Sequence, residues 1–335
     1  MGLILVRYGE LALKSRRVRL RFERALMRNI EEMFMSAGLE CLTSREWGRI
    51  FLRTADDKGA CTLLRRVFGV TSFSPAVECS SDAGEILGLV AECSRTALRD
   101  GQTFAVRARR TGTHPYTSQE LAAMVGREVF RANEGRGVRV DLTAPDVEFF
   151  VEVRQKRAFV FVEKLPGPGG LPLGTQGRVV ALLDGENGAA AAWLMMKRGC
   201  RVIAVAPEVG ELGAEESPPP PEIPPTLQNP PTPDPLRQAA TSAPMKHEGA
   251  QDGPRRALDM LLPWAPGLVL HRVDDVSVGG LASLARRRKA AAIVLGLTYD
   301  ELERGIPVAP TPVLFPLCGM SGDEIRALVA RIREA

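Results

Sequence analysis

The sequence predicts an α+β N-terminal half followed by an open parallel-sheet α/β domain with a proline-rich insertion. Up to about residue 165, strand-like alternation and helix-like periodicity follow one another without a regular order. From residue 178, an apolar run, a helical stretch and a second apolar run succeed each other, and parallel strands need such a crossover helix. Residues 207–253 include "ESPPPPEIPPTLQNPPTPDP", for which we expect an exposed, disordered insertion.

The first elements form a small α+β unit. The apolar run at residues 3–7 predicts a buried strand, and a long amphipathic helix follows it and ends at Gly38. A strand at 49–53 and a helix near 58–68 complete the unit. The inner face of the long helix carries apolar residues at steps of three and four, namely Val18, Phe22, Leu26, Ile30 and Met33.

A second α+β unit follows. Residues 103–110, "TFAVRARR", alternate apolar residues with arginines, which places guanidinium groups on one face of a strand. Thr117 and Glu120 have the spacing of a capping box and predict the start of a helix. Residues 137–142 and 147–163 then supply a strand and a strand pair.

The third unit is predicted to alternate strands and helices around the insertion. After the strand "VVALL", the helix "AAAAWLMMKRG" and the strand "RVIAVA", order is expected to resume with strands at 267–273, 290–297 and 311–317 and a final helix at 321–334 that Ser321 caps together with Glu324. The predicted boundaries are a first domain at 1–60, a second at 61–165, a linker at 166–178 and a third domain at 179–335.

The charge of the chain is unevenly distributed. The 335 residues are 45% apolar and 25% charged, with a net charge of +4. Residues 1–178 hold 28 Lys and Arg against 21 Asp and Glu, whereas residues 179–335 hold 16 against 19. A basic half predicts an anionic partner, most often nucleic acid or an anionic membrane, although a solvated charged surface explains the same numbers.

Other classes of protein are disfavoured. The six cysteines are scattered without a C-x-x-C pair, which argues against a zinc site or a disulfide framework. No stretch approaches the roughly 20 apolar residues of a membrane span, and the N-terminus lacks the pattern of a secretory signal. We therefore expect a cytoplasmic protein with no membrane partner.

Several segments, in order, resemble the tRNA 4-thiouridine synthetases, also called tRNA sulfurtransferases. The opening "ILVRYGELALKSRRVRLRFE" is similar to that family's ferredoxin-like domain, and "FAVRARRTGTHPYTSQEL" with "DLTAPDVEFFVEVRQKRAFVFVE" is similar to its RNA-binding THUMP domain. The segments "GPGGLPLGTQGRVVALL", "AAWLMMKRG" and "PVLFPLCGMSGDEI" resemble parts of its adenylating PP-loop domain. The resemblance implies ferredoxin-like and THUMP folds followed by a PP-loop fold of the adenine nucleotide alpha hydrolase type.

The resemblance also implies that the two N-terminal domains bind tRNA. Contacts from Lys and Arg to phosphates supply most of the sequence-independent affinity for RNA. The residues expected to contact RNA open the first helix or end the arginine-bearing strand, and they are Lys14, Arg16, Arg17, Arg107, Arg109, Arg110 and Thr111.

The third domain departs from the family at the loop that holds ATP. In the family this loop is approximately Ser-Gly-Gly-Ile-Asp-Ser-Pro, and its amides and hydroxyls bind phosphates at a helix N-terminus. The corresponding residues here are Leu183, Asp184, Gly185, Glu186, Asn187 and Gly188. Only Gly185 matches, and the two carboxylates would repel a polyanion unless they held a magnesium ion. We therefore expect a degenerate nucleotide loop, with no catalytic residue, metal site or cofactor.

The sequence favours two functions over a third interpretation, a structural remnant with no role on tRNA. The first is a tRNA-binding protein that acts in tRNA thiolation without catalysis, or together with a separate sulfurtransferase or cysteine desulfurase. The second is a divergent, active tRNA sulfurtransferase that uses ATP and magnesium to make 4-thiouridine and also serves thiamine thiazole synthesis. Cys318, near a strand end, is the candidate persulfide carrier in the second case. In both cases tRNA is the partner, and a homodimer stays open.

Overall fold

The N-terminal half of the chain is built on one mixed sheet, and the C-terminal part on a separate parallel sheet. The computed structural model describes residues 2–9, 15–46, 48–208 and 252–334. The predicted fold class is therefore confirmed. Most of the predicted insertion, residues 209–251, lies outside the described residues.

The first unit contains four strands and two helices among its described residues. They are β1 (Gly2–Tyr8), α1 (Arg16–Ser36), β2 (Cys41–Glu46), β3 (Arg49–Thr54), α2 (Asp57–Leu64) and β4 (Val70–Ser80). The second unit follows with α3 (Ala83–Ala97), β5 (Thr103–Thr111), α4 (Ser118–Ala132), β6 (Arg139–Val140), β7 (Val147–Arg154), β8 (Arg157–Phe161) and β9 (Leu165–Pro166). The capping box predicted for α4 is present, because Glu120 N donates to Thr117 Oγ1 and Thr117 N donates to Glu120 Oε2.

Strand β4 belongs to both N-terminal units. Its first part pairs with β1, where Phe73 is opposite Val6, and its last part pairs with β8, where Val77 is opposite Val160. The strand order is β2-β3-β1-β4-β8-β7-β5-β6, with β9 also paired to β4. Helices α1 and α2 cover one face of the first part of this sheet, and α3 and α4 cover the second part. The sequence did not predict β2, β4 or α3.

The other face of this sheet curls around a small apolar core. Its members are buried against one another, and they are Leu3, Leu5, Phe51, Phe159 and Phe161. Arg49 of β3 and Glu152 of β7 form an ion pair at 3.0 Å, although three strands lie between them in the sheet order. In a flat sheet the four steps would separate them by about 19 Å, at about 4.8 Å per strand. The sheet therefore folds back on itself, so that the first unit faces the second.

The C-terminal domain is a doubly covered parallel sheet. Its described elements are β10 (Arg178–Leu182), α5 (Glu186–Lys197), β11 (Arg201–Pro207), α6 (Gly253–Leu261), β12 (Leu270–Val273), α7 (Val278–Arg287), β13 (Ala292–Val294), α8 (Tyr299–Leu302), β14 (Val313–Leu314) and α9 (Gly322–Arg333). The strand order is β12-β11-β10-β13-β14, and every pair is parallel. Helices α5, α6 and α9 pack on one face and α7 packs on the other.

Helix α6 corrects the sequence prediction, in which the first regular element after the insertion was a strand at 267–273. Its 9 residues begin with proline in the first turn and bury Ala257, Met260 and Leu261. A helix of this length is marginal on its own, and the packing of α6 against α5 and α9 supplies the remaining stability. The three late strands are also shorter than predicted: the prediction at 267–273 keeps only Leu270–Val273, that at 290–297 keeps Ala292–Val294, and that at 311–317 keeps Val313–Leu314.

The two halves are joined by an ordered linker and an aromatic contact. In the linker, Gly169 O accepts a hydrogen bond from Gly69 N at 2.8 Å, and Leu171 N donates to Lys197 O at 2.9 Å. Phe68, between α2 and β4, contacts the rings of Trp193 and Trp264 at centroid distances of 5.4 and 5.3 Å. The linker therefore hydrogen-bonds to both halves.

Candidate nucleic-acid interface and nucleotide loop

A cavity of about 480 Å³ opens where the first unit faces the second, and we call it the junction cavity. Strands β1, β3, β5 and β7 line it together with the first turn of α4. Its charged lining residues are Arg7, Arg49, Arg107, Arg109, Glu148, Glu152 and Lys164. Five cations against two carboxylates make it strongly basic.

Glu152 is the carboxylate at the centre of the arginines. It is only 7% exposed, and it pairs with Arg49 at 3.0 Å and with Arg154 at 2.6 Å. Burial opposes ionisation, but the charges of Arg49 and Arg154 outweigh it and hold the pKa of Glu152 below its ordinary value. Glu152 is therefore charged and already has two guanidinium partners.

Arg7 lies beside this network without a carboxylate of its own. Its Nη1 donates to Ser74 Oγ at 2.9 Å, and its guanidinium lies 4.8 Å from the ring centroid of Phe161. Among the residues that the structure describes, no carboxylate lies within ion-pair distance of Arg7. Burial, and after it the charge of Arg49, lowers the pKa of Arg7 to about 10.

The cations predicted on β5 have different surroundings. Arg107 donates to Glu148 Oε1 at 2.8 Å and to Leu142 O at 2.9 Å, so its charge is already paired. Arg109 is exposed and lines the junction cavity. Arg110 is exposed and donates to Gly112 O at 2.9 Å.

The remaining predicted RNA contacts lie at element ends. Thr111 is the exposed last residue of β5, and Arg16 and Arg17 are exposed in the first turn of α1. Lys14 lies outside the described residues. Farther along α1, exposed arginines recur at steps of four, three and four, which places Arg17, Arg21, Arg24 and Arg28 on one face of the helix.

Sequence reasoning missed Arg7, Arg49, Arg154 and Lys164 as part of the basic surface. One signal was available for Arg7, since it continues the alternation of Leu3 and Leu5 and so shares their face of β1. The pairing of Val6 with Ile50 then places Arg7 beside Arg49. The position of Arg154 relative to both depends on the curl of the sheet, for which no local pattern exists.

The second candidate site is the loop between β10 and α5. It lies at the carboxyl edge of the parallel sheet, where the strand order reverses between β10 and β13, and such edges bind ligands in open α/β folds. The sequence placed six residues in this loop. In the structure α5 begins at Glu186, so Asn187 and Gly188 belong to its first turn.

Close backbone packing fixes the loop in place. A Cβ added at Gly296, just after β13, would lie 2.5 Å from Gly188 N, and one added at Gly253 would lie 2.9 Å from Asp184 O. The buried Leu183 donates its N–H to Val205 O at 2.8 Å. The neighbouring strands and α6 therefore hold the start of α5 tightly.

The carboxylates of the loop lie at the N-terminus of α5. A Cβ added at Gly188 would lie 2.7 Å from Asp184 Oδ1, so this carboxylate is beside the first helical turn. Glu186 forms an ion pair with Arg333, near the end of α9. Negative groups at this position interact favourably with the helix dipole, as a phosphate would.

Neither the loop nor the cysteines form a metal centre in the described part of the chain. No group of three or more His, Cys, Asp and Glu residues is arranged there to hold a metal ion. Cys200 is buried, which raises the pKa of its thiol, whereas Cys318 is exposed. No helix of the described residues is both long and apolar enough to cross a membrane.

Comparisons with known proteins agree with this architecture. Residues 3–74 match the ThiI ferredoxin-like domain, and residues 80–163 match the THUMP domain. A probable tRNA sulfurtransferase of Methanosarcina acetivorans is 45% identical over 208 residues, which is 61% of this chain and 50% of that relative. The corresponding protein of Methanothermobacter thermautotrophicus is 42% identical over 223 residues, or 64% of this chain and 55% of that relative.

The chain is therefore similar to the tRNA sulfurtransferases, and its two N-terminal units match the ThiI ferredoxin-like and THUMP family models. It spans about half the length of the curated relatives that it matches. Among solved structures, the protein PH1313 from Pyrococcus horikoshii is 28% identical with a TM-score of 0.76, and 99% of each chain is covered. A 4-thiouridine synthetase in complex with RNA and ATP is 24% identical with a TM-score of 0.72, covering 99% of this chain and 85% of that one. The fold shared with these two structures thus extends through the C-terminal domain.

Proposed function

We propose that this chain binds tRNA through its two N-terminal units and takes part in tRNA thiolation without activating the uridine itself. The observation that carries the proposal is the concentration of arginines where the ferredoxin-like and THUMP units meet, at the junction cavity. Arginine binds phosphate oxygens in a planar, bidentate geometry. Two similar chains are named probable tRNA sulfurtransferases, and a solved 4-thiouridine synthetase of similar fold holds RNA.

The arginines on α1 support a second contact with RNA. Arg17, Arg21, Arg24 and Arg28 cover about 16 Å of the helix surface at 1.5 Å per residue. Folded RNA presents its phosphates at regular spacing, and proteins bind such stems by shape and backbone charge. An exposed row of cations on one helix face fits that mode of recognition.

The proposal that the chain does not activate uridine is supported by the loop between β10 and α5, whose carboxylates oppose the binding of a nucleoside triphosphate. A phosphate at the N-terminus of α5 would meet Asp184, whose carboxylate lies beside the first turn, and Glu186, which Arg333 already pairs. Two like charges about 4 Å apart repel by about 1 kcal/mol in water and by several times that in a partly dry site. The loop also lacks the hydroxyls that would bind phosphate oxygens. These features support a member of the family that needs a separate sulfurtransferase or cysteine desulfurase.

One observation favours the alternative, a divergent but active tRNA sulfurtransferase. The amides at the start of α5 still lie at the switch point of a parallel sheet, which is where such folds bind ligands. ATP and magnesium would be required in that case, and the carboxylates of the loop would have to hold the metal. The role in thiamine synthesis belongs to this alternative.

Binding of unmodified tRNA tests the proposed partner. We expect a gel shift whose affinity falls steeply with salt, and a loss of at least tenfold when Arg16 and Arg17 are both changed to Glu. The matched control reverses the same charge at the C-terminal end of α7, with Arg287→Glu and Arg288→Glu, which are also exposed. Salt-insensitive binding, or an equal loss in the control, would contradict an RNA interface on the N-terminal half.

Calorimetry and tRNA analysis test the absence of catalysis. We expect no binding heat from ATP with magnesium, and micromolar binding that Gly188→Ala abolishes would favour the active enzyme instead. Deletion of the gene should lower 4-thiouridine in tRNA, measured by mass spectrometry. An unchanged level would exclude a role in thiolation.

A further inference from the structure

The junction cavity contains positive charge that the described part of the protein does not neutralise. Glu152 is shared by Arg49 and Arg154, and Glu148 pairs with Arg107. Arg7, Arg109 and Lys164 then line the same cavity without an ion pair among the described residues. Three cationic groups around one solvent-filled space attract an anion of matching size.

Arg7 is the most informative of these three residues. Much of its side chain is enclosed and it faces three further arginines, and the charge of Glu152 only partly offsets these effects, so its charged form is less stable than that of an exposed arginine. A desolvated charge is costly unless an opposite charge approaches it. Its hydrogen bond to Ser74 and its contact with Phe161 fix the guanidinium without neutralising it.

The first turn of α4 adds to the attraction for an anion. Ser118, Gln119 and Ala122 line the cavity beside β5. The N-terminus of a helix carries a partial positive charge, and its first amide groups point outward. In α4 the capping box already accepts hydrogen bonds from the amides of Thr117 and Glu120, so the arginines supply the main attraction for the anion.

We propose that the junction cavity binds one phosphate group of the RNA, held between Arg7 of the ferredoxin-like unit and Arg109 of the THUMP unit. This inference rests on the proposed function, because it takes the RNA as the source of the phosphate. The cavity of about 480 Å³ has room for a phosphate with an attached sugar. Since its two cations come from different units, the bound phosphate bridges them.

The test compares the tRNA affinity of three single variants at several salt concentrations. Arg7→Met and Arg109→Met remove one charge each while keeping an unbranched apolar stem, and Arg287→Met on α7 is the matched control. We expect each cavity variant to weaken binding about tenfold and to lower the slope of log affinity against log salt by about one phosphate contact, roughly 0.7–0.9. The control should keep both values.

Inorganic phosphate provides an independent readout of the same site. Added phosphate should raise the Tm of the unmodified chain, and the rise should be smaller in Arg7→Met and in Arg109→Met than in Arg287→Met. Because Arg109 is exposed on β5, its variant keeps the test valid if Arg7→Met fails to fold.

The outcomes separate this inference from the proposed function. If the unmodified chain binds tRNA but both cavity variants keep its affinity and salt slope, the phosphate site is wrong and the RNA-binding proposal stands. If the unmodified chain does not bind tRNA, the proposed function fails. In that case, a phosphate-dependent rise in Tm that the cavity variants lack would show that the cavity binds free phosphate. The proposal that the bound phosphate belongs to RNA would then be overturned.

Discussion

Phe68→Ala should uncouple the two halves of the protein. Phe68 is 1% exposed and comes from the connection between α2 and β4, yet it packs among C-terminal side chains. It stacks on Trp264, with an interplanar angle of 23°, and meets the edge of Trp193 at 67°. Truncating it would leave a cavity where both tryptophans lose their common partner.

The expected cost follows from burial and from the two ring contacts. Replacing a buried phenylalanine by alanine typically destabilises a protein by about 3–5 kcal/mol. Each aromatic pair contributes about 0.5–1.5 kcal/mol beyond its buried area, so we expect the upper part of that range. Whole domains are stable by only about 5–15 kcal/mol, so this loss weakens the attachment of one half to the other.

Urea unfolding followed by tryptophan fluorescence measures this directly, because two of the three tryptophans of the chain contact Phe68. The unmodified chain should unfold with coincident fluorescence and circular dichroism curves, whereas in Phe68→Ala the fluorescence transition should come at lower urea. The control, Phe104→Ala, truncates an equally buried ring in the core of the THUMP unit. A single coincident transition in Phe68→Ala, with a loss below about 1.5 kcal/mol, would refute a coupling role for this contact.

Two further substitutions test the junction and the loop. Glu152→Gln should lower the free energy of unfolding by about 3 kcal/mol in urea titrations at pH 7, because it leaves two arginines without their shared charge, yet it should strengthen tRNA binding. The pKa of Glu152 lies below its ordinary value of 4.5, so its ionised form stabilises the folded protein above pH 4.5 and this stabilisation is lost on acidification. The difference in free energy of unfolding between the unmodified chain and Glu152→Gln should therefore shrink below pH 4.5. A difference that stays constant with pH would contradict this. Gly296→Ala should cost about 1–3 kcal/mol, because its Cβ would overlap the start of α5, whereas Gly319→Ala, with open space around it, should unfold like the unmodified chain.

Features that depend on residues close together in the sequence were predictable. The capping boxes of α4 and α9 have the expected partners, and the apolar positions Phe22, Leu26, Ile30 and Met33 of α1 are buried. Each rests on contacts within a few residues. The parallel direction of the strands in the C-terminal sheet was equally predictable, because a strand, a helix and a strand in succession allow few arrangements.

Two features were not predictable in this way: the use of β4 by both N-terminal units and the curl of the sheet. The sequence of β4, "VTSFSPAVECS", contains a proline and several polar residues, which weaken the signal for a strand. It forms because β1 pairs with its first part and β8 with its last, and these partners lie far from it in the sequence. The junction cavity is a consequence of that pairing, and so only Arg107 and Arg109 among its cations were foreseen.

One electrostatic argument explains why the two candidate sites support opposite proposals. An anion binds where the protein has placed positive charge that it does not itself neutralise. At the N-terminus of α5, Arg333 pairs Glu186 and the Asp184 carboxylate lies beside the first turn, so a phosphate there would approach a negative group. At the junction cavity, Glu152 and Glu148 are taken up by three arginines, and Arg7 and Arg109 keep an unbalanced charge. For this reason we propose an external phosphate between the N-terminal units and none at the nucleotide loop.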